Sequence, residues 1–279
     1  MFNFDGKTSE EKKTFFTRQM FRKFLKRNND PLYRQILNDK YIFSQTFAKY
    51  TNRKCVRNIN LTFEGFKEFF DNLEKFIYKP GEGSGGIGIE VINRSDYNSE
   101  EEVYERILSL PEGVLEEWIE QHEAMSAPYP YAVNCIRVAT LFRNGKCTHL
   151  GALFTLGCGK NDITNALQGS LFGLVDLDSG VVTSDLCSYN DELFHEHPDT
   201  GFVAKGFEVP YWQDILKLTA EAASVVPQVG YVGWDVAVSK DGPVLIEGNS
   251  ISAGYIGFQH NLVRSDRQGS YGLWGQFIK

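Results

Sequence analysis

The sequence predicts an α+β protein, and two observations carry that expectation. Its first quarter is written in helical periods. The remainder supplies paired apolar runs joined by tight-turn dipeptides, the pattern of antiparallel hairpins. Residues 9–28 (SEEKKTFFTRQMFRKFLKRN) place Phe16, Met20, Phe24 and Leu25 at three- and four-residue steps between lysines and arginines, predicting a helix that Asn28-Asn29-Asp30-Pro31 ends. Further helices are expected over 32–50, 62–74, 99–109 and 211–226. Strands are expected at 76–80 and 89–93 around a glycine-rich turn, and at 114–119. Two more hairpins are expected, around Asn144-Gly145 and around Lys240-Asp241-Gly242. No internal repeat or low-complexity tract interrupts this order.

Composition narrows the function classes. The chain has 279 residues, 42% of them hydrophobic and 14% aromatic, which excludes intrinsic disorder. No apolar run approaches the roughly 20 residues of a membrane helix, and the opening MFNFDGKTSEEKK has no signal-peptide core, so a cytoplasmic protein without membrane insertion is expected. Cys55, Cys135, Cys147, Cys158 and Cys187 are scattered and never form a CxxC, and read as reduced, buried thiols. The net charge of −7 is unevenly placed. Residues 1–60 carry fourteen Lys and Arg against five Asp and Glu, whereas residues 61–279 carry fifteen against thirty-one. The acidic body argues against a nucleic-acid partner, and the basic head suits an anionic one.

Three constellations bear chemistry. The first is GEGSGGIG (81–88), five glycines in eight residues, where backbone N–H groups can lie against phosphate oxygens with Lys79 just before them. It is neither a P-loop nor a dinucleotide fingerprint, and a flexible hairpin tip reads equally well. The second is Asp235 in one strand with Glu247 and Asn249 two apart in the next, oxygen ligands on one face that suit Mg²⁺ or an ordinary surface ion pair. The third is Glu116-Glu117-Trp118-Ile119, an extended stretch able to offer backbone groups to a purine edge, with carboxylates downstream for ribose hydroxyls. His195-x-His197 lacks a third histidine nearby and reads as loop structure. The four tryptophans read as packing residues.

Taken along the chain, the glycine-rich hairpin, the Glu-Glu-Trp-Ile stretch, an arginine-bearing strand (NCIRV) and the Asp…Glu-x-Asn of the last hairpin resemble the ATP-grasp superfamily, most closely its sugar-transfer-associated branch. HPDTGFVAKGFEVPYW…YVGWDVAVSKDGPVLIEGNS is the most specific part, and the resemblance covers about residues 35–279. It implies two α+β subdomains that clasp ATP: a basic helical segment at 1–38, a smaller subdomain with the glycine loop at 39–123, and a larger one with the metal site at 124–279.

By the same resemblance, Lys40 and Lys79 bind phosphates, and Gly83, Ser84, Gly85 and Gly86 belong to the mobile loop over them. Glu116 takes the adenine amino group, the backbone of Glu117 and Ile119 the ring edge, and Glu123 the ribose. Arg137, Lys79 and Asn165 face the reacting centre, while Asp235, Glu247 and Asn249 hold magnesium, two ions in the family pattern, for which manganese can substitute. The implied activity is an ATP- and Mg²⁺-dependent ligase that activates a carboxylate as an acyl phosphate and joins it to an amine. The setting it implies is surface-polysaccharide, natural-product or peptide biosynthesis. The alternatives are a small-molecule kinase on the same fold and a non-catalytic nucleotide-binding scaffold.

Only 39 residues precede Lys40, too few for the α/β domain that usually stands there. The small-molecule or peptide acceptor is therefore expected to meet residues elsewhere, or a homo-oligomeric or other protein partner. The basic helix is expected to pack on the clasp and lend Arg or Lys to an anionic substrate. Arg264 and Arg267, with Gln259 and His260, read as surface in preference to a substrate carboxylate site.

Overall fold

The computed structural model describes residues 4, 6–81, 85–159, 169–251, 254 and 256–278. The N-terminal helical pattern is divided in two, α1 (Ser9–Lys13) and α2 (Arg18–Asn28). Thr8 and Glu11 form a reciprocal capping box on α1, and the Thr17 hydroxyl caps α2. Between them Phe15 and Phe16 are both buried, and the Gln259 side-chain amide satisfies the Phe16 N–H at 2.8 Å and its carbonyl at 2.9 Å. A continuous helix would turn these adjacent rings about 100° apart; the break lets both enter the core.

The expected helix at 32–50 is likewise fragmented, into a 3₁₀ turn at Pro31–Tyr33, α3 (Gln35–Asn38), α4 (Lys40–Thr46) and α5 (Ala48–Thr51). Asp39 causes the central break, because its carboxylate accepts from the N–H groups of Tyr41 and Ile42 at 2.9 Å. α6 (Phe63–Phe70) stops short of residue 74, with Asn72 in the left-handed region at φ +63°. α7 (Glu100–Ser109), α8 (Glu123–Ser126), α9 (Trp212–Ala223) and α10 (Tyr271–Trp274) complete the helices named here.

Two antiparallel sheets organise the chain. β1 (Cys55–Arg57), β2 (Lys75–Pro80), β3 (Glu90–Asn93) and β4 (Gly113–Glu117) form one in the order β1-β4-β2-β3. Its core is Phe66, Phe69 and Phe70 of α6 and Ile107 of α7 against Phe76, Tyr78 and Leu115. The second sheet contains β5 (Cys135–Arg143), β6 (Lys146–Leu156), β7 (Leu171–Val175), β8 (Leu186–Ser188), β9 (Leu193–Phe194), β10 (Tyr231–Ser239) and β11 (Gly242–Asn249). Their order is β11-β10-β5-β6-β7-β8-β9. The hairpins expected at Asn144-Gly145, at Asp241-Gly242 and around the glycine-rich turn are all present.

Alternation along β5 and β10 gives the large sheet two buried faces. Ile136, Val138 and Trp234 join a core with Ile215 of α9. Ala139, Leu141 and Tyr231 join another with Phe16, Phe21, Phe24 and Trp274. The apolar side of α2 thus packs on the sheet as expected, while Arg18, Arg22, Lys23, Lys26 and Arg27 are exposed on its other side. The cysteine expectation holds only in part: all five are free, but Cys55, Cys147 and Cys158 are half-buried, set in positions that solvent still reaches.

Candidate active site between the two sheets

Arg137 and Asp235 stand directly opposite each other in the β5–β10 ladder. The guanidinium clamps the carboxylate twofold, Nε to Oδ1 at 2.6 Å and Nη2 to Oδ2 at 2.5 Å. Asp235 also faces Glu247 across the β10–β11 ladder, because a bulge shifts the register between Asp235 and Val236. The extra residue is Ile246: Val236 pairs with Leu245, yet Asp235 pairs with Glu247. Asn249, two residues on, donates from Nδ2 to Glu247 Oε1 at 3.0 Å and to Asp235 Oδ2 at 3.4 Å. Gly248 between them faces the other way. A Cβ there would lie 2.9 Å from Leu37 and 3.0 Å from Trp234, so glycine lets α3 pack directly behind the carboxylates.

Burial and electrostatics divide the two acids. Burial pushes Asp235 up to about 6 although Arg137 pulls it down, with the neighbouring Glu247 charge adding to the rise. Burial also opposes the Glu247 charge, but the Asn249 hydrogen bond and the Lys79 and Arg137 charges outweigh it and hold that carboxyl below its ordinary range.

On the small sheet, Glu116 of β4 is buried and pairs across the ladder with Ile77 of β2, one pleat from Lys79. Lys79 Nζ donates to Glu116 Oε2 at 2.9 Å. Arg53, in the loop before β1, donates to the same oxygen from Nε at 2.9 Å and Nη2 at 2.6 Å. Burial alone would raise the Glu116 pKa; the Arg53 and Lys79 charges reverse this and lower it to about 2. Lys40, the first residue of α4, has its pKa lowered by burial, and its charged surroundings are Glu247, Lys79, Glu116 and Asp39. Lys40, Lys79, Glu116 and Glu247 therefore share one electrostatic neighbourhood, where the two sheets meet.

The segment leaving β4 crosses to the large sheet. His122 N–H donates to the Val238 carbonyl at 2.8 Å and Lys240 N–H to the Glu120 carbonyl at 3.2 Å. The Glu117 N–H is spent on the Lys54 carbonyl at 3.0 Å, which leaves that group committed to the sheet. Ile119 is half-buried, and Glu123 is exposed at the start of α8. Gly85 and Gly86 sit in a turn at φ +79° and +76°, conformations that favour glycine. Gly83, Ser84 and Asn165 lie outside the described residues.

Two neighbours escaped the sequence reading. Arg53 sits in Thr-Asn-Arg-Lys with no motif around it, and only the fold brings it to Glu116. Tyr189 packs its ring 4.9 Å from that of Phe172, and burial raises its phenol, which senses the Arg137 and Asp235 charges. The reading of His197 as loop structure agrees with its bonding. Nε2 meets the Gly157 carbonyl at 2.7 Å and Nδ1 accepts from Asp199 N–H at 3.2 Å, so neither nitrogen is spare for a metal despite Cys158 and Asp199 alongside. Gln259 anchors Phe16, His260 meets Asp191 at 2.8 Å, Arg264 pairs with Asp266, and Arg267 pairs with Glu11 at 2.5 Å. These tail residues serve internal contacts.

The model of the sugar-transfer-associated ATP-grasp family matches residues 19–261. The chain belongs to this family. Among solved structures, the ATP-grasp ligase PsnB complexed with a minimal precursor superposes with a TM-score of 0.53 at 14% identity, covering 90% of this chain and 63% of that one. PsnB with minimal precursor, Mg and ADP gives 0.50 at 13%, covering 90% and 61%. D-alanine–D-alanine ligase from Bacillus anthracis gives 0.50 at 14%, covering 90% and 68%. No curated protein sequence matches. The likeness to the solved structures is one of fold, and the two sheets are those of an ATP-grasp protein.

The donor set fits the magnesium implied by an ATP-grasp site. Asp235 and Glu247 supply two carboxylates and Asn249 an amide oxygen, all hard oxygen donors on one face of one hairpin.

Proposed function

We propose that this ATP-grasp protein is an ATP- and Mg²⁺-dependent ligase that converts a carboxylate to an acyl phosphate and joins it to an amine. The observation that carries this reading is the meeting of Lys40, Lys79 and Glu116 on one side with the Asp235–Glu247–Asn249 hairpin and Arg137 on the other. The cations suit a polyphosphate and the carboxylates suit its counter-ion.

In this reading Glu116 accepts from the adenine amino group through Oε1. Its partners among the described residues all bond Oε2. The Ile119 backbone and the Glu117 carbonyl take the ring edge, and Glu123 the ribose. Lys79 turns from Glu116 toward the phosphates, joined by Lys40. Arg137 is held rigid by Asp235 and presents its remaining N–H groups to the charge that develops as the γ-phosphoryl group moves. Magnesium bound by Asp235, Glu247 and Asn249, as one or two ions, would neutralise the phosphate oxygens and align them for in-line attack. The glycine turn closes over the mixed anhydride and excludes water until the amine attacks its carbonyl carbon and phosphate leaves. The acceptors are a small-molecule or peptide carboxylate and amine, in keeping with the sugar-transfer association of the family and with the precursor held by PsnB.

Hydroxylamine trapping tests this. Incubated with ATP, Mg²⁺ and a library of amino-acid, peptide and uronic-acid carboxylates, the protein is expected to yield a hydroxamate from at least one. A stable phosphate ester with no hydroxamate would select a kinase instead.

A further inference from the structure

We infer that Arg53 is a positioning residue that sets nucleobase specificity by pinning Glu116 Oε2, so that Oε1 is left as an acceptor for the 6-amino group of adenine. The inference rests on the nucleotide reading above and assigns a residue to it that no motif marks.

All five guanidinium N–H groups of Arg53 are used. Nε and Nη2 donate to Glu116 Oε2 at 2.9 and 2.6 Å. Nη1 donates to the Leu245 carbonyl at 2.5 Å and the Thr51 carbonyl at 3.3 Å, and Nη2 also reaches the Ile246 carbonyl at 3.2 Å. The side chain is only 6% exposed. It is thus over-determined: no rotation is available that does not strand a buried donor. Lys79 differs, for the bond to Glu116 is the only hydrogen bond its side chain makes among the described residues. When phosphates draw Lys79 away, Arg53 alone keeps Glu116 paired and oriented.

The same guanidinium reaches the carbonyls of Leu245 and Ile246, the bulge that sets Glu247 opposite Asp235. One side chain thus ties the base-facing carboxylate of the small sheet to the metal-facing edge of the large one. An ionised, fixed carboxylate can only accept, so it matches the 6-amino group of adenine and opposes the 6-oxo group of hypoxanthine. The Arg53 charge is first among the influences that keep Glu116 ionised despite its burial.

The test is calorimetric titration of the full chain with Mg·ADP and Mg·IDP, for wild type, Arg53→Lys and Arg53→Met. Wild type is expected to favour ADP by at least ~100-fold, since sites built to hydrogen-bond a substrate group reject an analogue that leaves their buried polar group unpaired by as much as ~10⁴–10⁵-fold. Arg53→Met should cut that ratio by at least ~10-fold, mainly by weakening ADP, and Arg53→Lys should fall between, since an ammonium cannot reproduce the fork. A merely structural role would weaken both nucleotides equally, and an unchanged ratio in a folded variant overturns the inference. If Arg53→Met does not fold, Arg53→Lys decides by the same ratio. Wild type binding both nucleotides equally would overturn the Glu116 reading and this inference with it. Wild-type discrimination that survives in the variants would overturn the inference about Arg53 alone.

Discussion

Asp235 faces Glu247 across the β10–β11 ladder, with Ile246 an extra residue in β11 beside that pair. Without Ile246 the pairs Val236–Leu245 and Asp235–Glu247 would follow one another in an unbroken ladder, so Glu247 and Asn249 would keep their face. Deleting Ile246 should therefore leave a folded protein whose ADP binding still responds to Mg²⁺. Titration of ADP with and without Mg²⁺ reads this, with the magnesium enhancement expected to stay within ~10-fold of wild type; a larger loss would mean that the bulge itself, and not the register alone, positions the carboxylates.

Glu116 offers a stability prediction with a defined sign. Its folded pKa of about 2 lies below the ordinary carboxylate value, so it contributes stability that is present above about pH 4.5 and lost as pH falls through about 2. Glu116→Gln leaves the buried Arg53 and Lys79 charges without their counter-ion and should cost about 3–5 kcal/mol at pH 7. Denaturant unfolding at a series of pH values should show the gap between wild type and variant narrowing steadily on acidification. A gap independent of pH would mean that the charge on Glu116 is not what stabilises the cluster.

Arg18, Arg22 and Lys26 are exposed on α2, whose opposite face carries Phe21, Phe24 and Leu25 into the core. Replacing all three by Gln should leave stability within about 0.5 kcal/mol, as surface changes usually do. If this face attracts an anionic acceptor, steady-state kinetics should show its KM rise several-fold while that for ATP is unchanged. Equal KM values would make the face a solvated surface only.

The aromatic packing of α2 predicts the reverse balance. Phe24 is fully buried against Phe16, Tyr231 and Trp274, with ring centroids 5.9, 5.2 and 5.6 Å away. Phe24→Ala should destabilise the chain by about 3–5 kcal/mol. Thermal unfolding would register this as a marked fall in Tm.

What the sequence disclosed followed from period and turn chemistry. The Asp241-Gly242 turn announced the hairpin of Asp235 and Glu247, and the glycine run announced the turn between β2 and β3. It did not disclose the break at Thr14–Thr17, because Phe16, Met20 and Phe24 keep helical spacing across it; the hydroxyl cap of Thr17 and the distant Gln259 amide decide otherwise. Asp39 cut a predicted helix for a similar reason, its carboxylate reaching backbone N–H groups two and three residues on. Arg53 was invisible because its partners lie 63 and 192 residues further along the chain. The bulge at Ile246 was hidden as well, since no residue type marks a register shift of this kind.

The most direct measurement is product stoichiometry with a substrate pair found by trapping, for wild type and Glu247→Ala. The expected result is one ADP and one phosphate for each amide formed by wild type, and no turnover in the folded variant. Amide formation that persists in Glu247→Ala, or proceeds without ADP release, would contradict the assignment of this hairpin to the chemistry of ATP.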